Sequence, residues 1–140
     1  MQQQMSVITL GVHDLARSRR FYVDGFGWAP VFENEDIVFF QMNGFMLGVW
    51  KAAEQSKDMA RENAFGPTPF ALADNVPAAS DVQPAMDALI KAGGKLLKPA
   101  PGPPHGGFAG YVTDPDGHAW EIAFNSAWSI SPEGYVTFGV

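Results

Sequence analysis

The chain has 140 residues, with 9 Lys and Arg against 15 Asp and Glu, and it contains no Cys. Its hydrophobic content of 46% excludes a disordered chain, and its net charge of −6 argues against a nucleic-acid backbone or an anionic membrane as partner, since both bind clustered positive charge. The lack of Cys excludes disulfides, thiolate zinc sites and a cysteine nucleophile. The polar start Met1 to Gln4 lacks a secretory signal, so we expect a single cytoplasmic domain.

The first 50 residues predict the element order β-α-β-β-β. Asp14 can cap the helix through its carboxylate, and Gly25 and Gly27 can end it. Asn43-Gly44 is a strong two-residue hairpin signal between the last two strands. The predicted strands cover 6–12, 28–33, 37–42 and 45–50, and the predicted helix covers 15–23.

A polar connector, residues 51–69, carries a loose helix and ends in Gly66-Pro67-Thr68-Pro69. The same element order then restarts. A strand at 70–75 precedes a helix in which Ser80 and Gln83 form a capping box, and Gly93-Gly94 stops this helix. Strands follow at 95–98, 108–113 and 118–124, and a type I turn over 114–117 joins the last two. The predicted buried face of the helix consists of Val82, Met86, Leu89 and Ile90.

This repeated order predicts an α+β fold in which two tandem βαβββ modules form a cup-shaped mixed sheet. We expect one domain over 1–140, with modules at about 5–50 and 70–125 and a C-terminal tail at 126–140. One helix can cover only one face of a four-stranded sheet. The uncovered faces are therefore the expected ligand-binding surface.

Strand alternation assigns side chains to the cup once one residue is fixed, and Glu121 is the anchor because it is a carboxylate in an apolar strand. Trp120 and Ile122 then face the helix, and Gly110 is predicted opposite Glu121. In the first module, Val38, Phe40, Leu47 and Val49 are predicted to pack on the helix. The predicted ligand-binding residues are Thr9, Phe39, Gln41, Met46, Trp50, Phe108 and Glu121.

More ordinary interpretations exist for these residues. Glu121 is also explained as a carboxylate at a pore rim or an interface that is hydrogen-bonded to water or paired with Arg. Phe39, Met46 and Trp50 are also explained as ordinary residues of the hydrophobic core.

Two segments carry a family resemblance. The first consists of residues 8–15, followed by Phe21-Tyr22 and Gly25 to Trp28. The second consists of residues 111–122, in which Asp-Pro-Asp-Gly precedes an aromatic-Glu-aliphatic strand. Together they resemble the vicinal oxygen chelate superfamily of glyoxalase I, extradiol dioxygenases, fosfomycin-modifying enzymes and bleomycin-resistance proteins. The resemblance implies the fold but not the reaction, since one fold hosts many functions.

The resemblance also implies four positions for divalent-metal ligands. Glu121 matches one of them, whereas the others fall at Val7, Gly48 (or the adjacent Leu47) and Pro69, which offer no ligating side chain. Thr9, on the same face as Val7, is a poor substitute because its hydroxyl is neutral. We therefore expect no metal or other cofactor, with a divalent metal as the alternative.

The histidines offer a weak route to a rebuilt metal site. His13 and His105 are weak candidates to join Glu121, while His118 points to the opposite face of its strand.

The sequence leaves more than one function open. The first is a binding module that holds a small apolar or aromatic molecule, cationic in one version, without the family metal. The alternative is a divalent-metal-dependent lyase or dioxygenase of the glyoxalase type, with Glu121 as the catalytic residue. Either is compatible with a homodimer whose surface includes Trp28, Trp128 and Phe138, and pairing of the modules within one chain or between two chains remains open.

Overall fold

A computed structural model describes residues 1–61, 70–101 and 107–139, with the side chains of 107 and 108 excepted. The elements confirm the predicted α+β fold of two βαβββ modules. They are β1 Val7–Val12, α1 Leu15–Arg20, a π-helical segment Phe21–Gly25, β2 Pro30–Glu33, β3 Ile37–Gln41, β4 Met46–Lys51, α2 Ala52–Asp58, β5 Ala71–Asn75, a 3₁₀ turn Ala79–Asp81, α3 Val82–Lys91, β6 Lys95–Lys98, β7 Gly107–Thr113, β8 Ala119–Asn125, β9 Ser129–Ile130 and β10 Val136–Thr137.

Each module forms its own four-stranded mixed sheet. The strand orders are β1-β4-β3-β2 and β5-β8-β7-β6. In each sheet the first strand pairs in parallel with the last strand of its module, and the other pairs are antiparallel. No helix among the described residues is long and apolar enough to span a membrane.

The first helix begins as predicted. Asp14 accepts a hydrogen bond from the backbone N–H of Arg17 at 3.0 Å and so caps α1. The helix then widens into the π-helical segment at Phe21, and this wider turn carries Phe21 and Tyr22 fully into the core.

The prediction of a capping box on the second module's helix is wrong. Ser80 lies inside the 3₁₀ turn, α3 begins at Val82 without a side-chain cap, and Gln83 instead donates to Asp87 at 2.8 Å. The prediction that Ile90 is buried is also wrong, since it is 37% exposed. The reason is helical geometry, because Ile90 lies about 70° around the helix from the stripe that it was predicted to join. That stripe is buried and consists of Val82, Met86 and Leu89.

The two modules share one hydrophobic core, which lies between their helix-covered faces. Tyr22 stands at its centre, with its ring centroid 5.7 Å from that of Phe40 in the first sheet and 6.1 Å from that of Trp120 in the second. Both helix-covered faces are therefore used inside the chain. The other face of each sheet, which we call its open face, points away from the shared core.

Candidate functional site

The predicted ligand-binding residues of the first module lie together on one open face. Phe39 and Thr9 both pair with Gly48, and Gln41 pairs with Met46. Trp50 follows on the same face of β4. The opposite face, with Val38, Phe40, Leu47 and Val49, is buried as predicted. The register thus confirms which residues share this surface, while their role in binding stays a prediction.

Phe39 fills the space that Gly48 leaves empty. A Cβ at Gly48 would come within 2.8 Å of Phe39 Cε1 and within 3.6 Å of Thr9 Cγ2. Phe32 extends this aromatic surface, with its ring centroid 6.2 Å from that of Phe39. Val7 and Phe32 are 47% and 52% exposed, so an apolar part of the open face is accessible.

Polar contacts bound this face at both ends. Gln41 donates from Nε2 to the carbonyls of Met42 and Phe45 at 2.8 and 3.1 Å, which ties it to its own hairpin turn. At the other end, Gln55 of α2 donates to the carbonyl of Thr9 at 3.1 Å. The surface between these contacts offers mainly apolar and aromatic groups.

Glu121 lies on the open face of the second sheet, among small residues. Its register neighbours are Ala73 and Tyr111, so the predicted pairing with Gly110 is wrong. The Tyr111 hydroxyl donates to Glu121, and this hydrogen bond raises the pKa of Tyr111. Phe108 pairs with Phe124 in register, and its side chain lies outside the described residues.

Gly110 faces the core instead. A Cβ at Gly110 would clash with the side chain of Met86 on α3, with Met86 Cε at 2.5 Å. The turn causes this change of face. His118 belongs to the turn, because the Asp114 carboxylate accepts the backbone N–H groups of Asp116 and His118, each at 2.9 Å, and β8 begins only at Ala119.

The donor set does not fit the divalent metal of the family. Among the described residues of one chain, no group of three His, Cys, Asp or Glu comes close enough to hold an ion. Phe39 covers Gly48, and the neighbour of Glu121 on β5 is Ala73. Two residues singled out earlier, Pro69 and His105, lie outside the described residues.

The two remaining histidines lie where the modules meet. The backbone N–H of His13 donates to Asp116 at 2.9 Å. His118 Nε2 lies 2.8 Å from the carbonyl oxygen of Gly11, so this nitrogen is occupied by the backbone of β1.

The Asp-Pro-Asp-Gly turn holds the two modules together. The Asp116 side chain is only 2% exposed and accepts hydrogen bonds from Arg17 Nη2 at 3.1 Å and Ser18 Oγ at 3.0 Å. Asp114 accepts the Tyr22 hydroxyl at 2.8 Å, and burial raises the pKa of the Asp114 carboxyl. The Asp-Pro-Asp-Gly motif therefore does more than form a local turn, because it joins the second module to the first.

A cavity of about 710 Å³ lies where the two modules and the C-terminal hairpin meet. The hairpin, β9 and β10, is tied to the first module by a hydrogen bond from Asn43 Nδ2 to the Glu133 carbonyl at 3.1 Å. Trp128 and Phe138 lie together on this tail, with ring centroids 5.5 Å apart. Trp28 lies apart from them and stacks on Phe26, with ring centroids 4.2 Å apart. The cavity lining includes Trp28, Leu47, Leu72, Asp74, Trp120, Glu121, Trp128 and Tyr135.

Sequence reasoning missed most of this lining. Only Glu121 was among the predicted site residues. Asp74 carried a usable signal, because strand alternation places it on the same side of β5 as Leu72, yet an Asp near a strand end is also an ordinary turn former.

The fold and the repeated modules define a member of a known superfamily. The model of the Glyoxalase/Bleomycin resistance protein/Dioxygenase superfamily matches residues 4–122, and the chain belongs to this superfamily.

Solved structures agree with this assignment. A glyoxalase-related enzyme from Fulvimarina pelagi is 54% identical, with a TM-score of 0.95, and the match covers 99% of this chain and 100% of that one. A glyoxalase/bleomycin resistance protein/dioxygenase family enzyme from Burkholderia phytofirmans is 18% identical over 86% of this chain and 97% of that one, with a TM-score of 0.75.

A lactoylglutathione lyase from Agrobacterium tumefaciens is 20% identical over 89% of this chain and 95% of that one, with a TM-score of 0.66, which shows the fold alone. No curated protein sequence matches the chain.

Proposed function

We propose that this protein binds a small apolar or aromatic molecule on the open face of its first sheet and does so without the family metal. The single observation that carries this proposal is the packing of Phe39 over Gly48, so close that an added Cβ at Gly48 would lie 2.8 Å from Phe39 Cε1, at a position where the family resemblance implies a metal ligand. An aromatic ring there favours apolar contact over coordination.

Glu121 gives the second sheet a different contribution. It is the acidic residue among alanines on that open face, and Tyr111 lies opposite it in register. A positively charged group on the ligand is therefore favoured, and the net charge of −6 attracts such ligands from a distance. We place this binding activity in the cytoplasm.

A complete cup requires two copies of the chain under this proposal. The open faces of the two sheets point away from one shared core, so they cannot face each other within a chain. A homodimer can bring the first sheet of one copy to the second sheet of the other. The exposed apolar residues Val7 and Phe32 support burial of this face between copies.

Binding is tested with N-phenyl-1-naphthylamine, a neutral aromatic dye that becomes fluorescent in apolar surroundings. We expect saturable binding that weakens about tenfold in Phe39→Ala, since the ring supplies much of the contact area. Phe138→Ala is the matched control, because Phe138 is 72% exposed on the tail. Equal binding by both variants and the wild type would place the dye elsewhere and refute the site.

The metal-dependent alternative is tested on protein purified without chelators. Elemental analysis is followed by titration of Ni²⁺, Zn²⁺, Mn²⁺ and Fe²⁺ with thermal melting. A stoichiometric ion, or a metal-dependent rise in melting temperature that Glu121→Ala abolishes, would replace the binding function with a glyoxalase-type lyase or dioxygenase.

The dimer is tested by light scattering after size exclusion. We expect a mass of about twice 15.2 kDa for the wild type. Val7→Lys, on the open face, should shift the mass toward one chain, whereas Ile90→Lys on α3 should not, although both replace exposed apolar residues. A wild-type mass of one chain would refute the shared cup.

A further inference from the structure

The cavity between the modules combines aromatic walls with negative charge. Trp28 lines the cavity and packs edge-on against the buried indole of Trp120, with ring centroids 5.7 Å apart and planes at 67°. Trp128 and Tyr135 of the C-terminal hairpin also border it. The volume of about 710 Å³ lies within the range of roughly 300–1,000 Å³ that small-molecule sites occupy.

Asp74 is a carboxylate without a partner in this cavity. It lies on the edge strand β5, in register with the fully buried Ile122 and on the same side as Leu72. No hydrogen bond or ion pair joins it to another described residue, and burial raises the pKa of its carboxyl. A half-buried carboxylate without a donor is costly for a fold to keep, because it loses hydration without compensation. A cationic ligand would supply that compensation.

The charges around Asp74 favour the same occupant. Among the described residues that line the cavity, Glu121 is the other acidic residue, and none is Lys, Arg or His. Glu121 belongs to the open face of the second sheet, so it borders this cavity and the proposed cup. Indole faces attract organic cations through their electron-rich π-systems. The lining therefore disfavours anions and favours an ammonium group with an apolar body.

We propose that this cavity is a second binding site, which takes an organic ammonium ion. Asp74 supplies the counter-charge, and the accessible indoles of Trp28 and Trp128 supply the cation–π surface, while the buried Trp120 supports Trp28 from behind. This site uses residues of the cavity between the two modules. If the test of the proposed cup shows no binding of an apolar ligand, the proposal for this cavity is unaffected.

Benzyltrimethylammonium is the probe, and benzyl alcohol is its uncharged counterpart, both measured by calorimetry on the full-length wild type. Asp74→Asn keeps the side-chain shape and should weaken binding of the cation by about tenfold or more. Asp58→Asn is the matched control, because it removes the same charge at the exposed end of α2 and should change the affinity less than about twofold. Binding of the alcohol should be weak and equal in all three proteins.

Proton release gives an independent readout. Because burial raises the pKa of Asp74, a bound cation should expel the residual proton from its carboxyl. Calorimetry at a series of acidic pH values, in two buffers with different ionisation enthalpies, should detect this release in the wild type and not in Asp74→Asn. Absence of saturable binding, or equal cation affinity in the wild type and Asp74→Asn, would overturn the proposal. Loss of binding in Glu121→Gln but not in Asp74→Asn would also overturn it, since Asp74 would then not be the counter-charge.

Discussion

Gly110→Ala and Gly48→Ala make the same chemical change on the two faces that the fold distinguishes. At Gly110 the new Cβ would meet Met86 Cε at 2.5 Å and the backbone nitrogen of Ala100 at 2.9 Å. Met86 is fully buried, so its terminal atoms can move away only by repacking the core, and the Ala100 atom belongs to the backbone. Overpacking of this kind lowers the free energy of unfolding by about 1–3 kcal/mol. Because one contact is with backbone, we expect a loss of about 2–3 kcal/mol for Gly110→Ala.

The same substitution at Gly48 should be nearly neutral. Its Cβ would meet Phe39 Cε1 at 2.8 Å and Cδ1 at 3.2 Å, which are atoms of a ring on the open face that can rotate outward. Replacing Gly by Ala in a strand also stabilises by about 0.5–1 kcal/mol through the lower entropy of the unfolded chain. We therefore expect a change within about 0.5 kcal/mol.

Urea unfolding and calorimetry measure both variants. For a chain of 140 residues, an unfolding entropy of about 2.1 cal/mol/K per residue gives about 0.3 kcal/mol/K, so a loss of 2 kcal/mol lowers Tm by about 7 °C. A large loss in Gly48→Ala would mean that the face with Phe39 is tightly packed, which would refute its assignment as open. A neutral Gly110→Ala would refute the contact between β7 and α3.

Two further predictions concern buried carboxyl groups. Tyr22→Phe should lower the free energy of unfolding in urea by about 1–3 kcal/mol, because Asp114 loses the hydroxyl that donates to it at 2.8 Å. Carboxyl NMR should report a further rise in the Asp114 pKa, and an unchanged stability would contradict this contact. Burial raises the folded-state pKa of Asp74 above its unfolded value, so the wild type loses stability as pH rises through that folded pKa, and Asp74→Asn should be the more stable protein at pH 7. Melting curves of both proteins against pH should converge below the unfolded pKa of about 3.9, and a constant difference at all pH values would argue against burial of the charge.

The first module could be predicted from sequence down to individual side chains. Asn43-Gly44 sets the hairpin, and the pairing of Gln41 with Met46 next to it determines every later pair of the two strands. Alternation then assigns Phe39 to one face and Phe40 to the other, as observed. A short turn with one strongly preferred geometry makes the register a local property.

The second hairpin was harder because its turn contains an additional residue. The two backbone N–H groups that Asp114 accepts draw His118 into the turn, so the strand pairing shifts by one position. With a side-chain period of two, a shift of one position moves Gly110 from the open face to the core. A carboxylate that bonds nearby N–H groups is common in turns, but its effect on register depends on which groups it reaches.

The cavity could not be predicted from either module alone. Leu47 belongs to the first sheet and Leu72 to the second, and they line one space only because both helix-covered faces pack into a shared core. That packing depends on contacts between residues about 100 positions apart, such as the bond between Ser18 and Asp116, and no local pattern encodes them.

The two modules have one topology but contribute opposite chemistry to their open faces. The first presents the ring of Phe39 over a glycine, and the second presents Glu121 among alanines. Because the DPDG turn binds α1 of the same chain, the modules cannot separate to place these faces opposite each other without breaking the buried bonds of Asp114 and Asp116. The contacts that hold the two modules together in one chain are therefore the ones that keep its aromatic open face and its acidic open face apart.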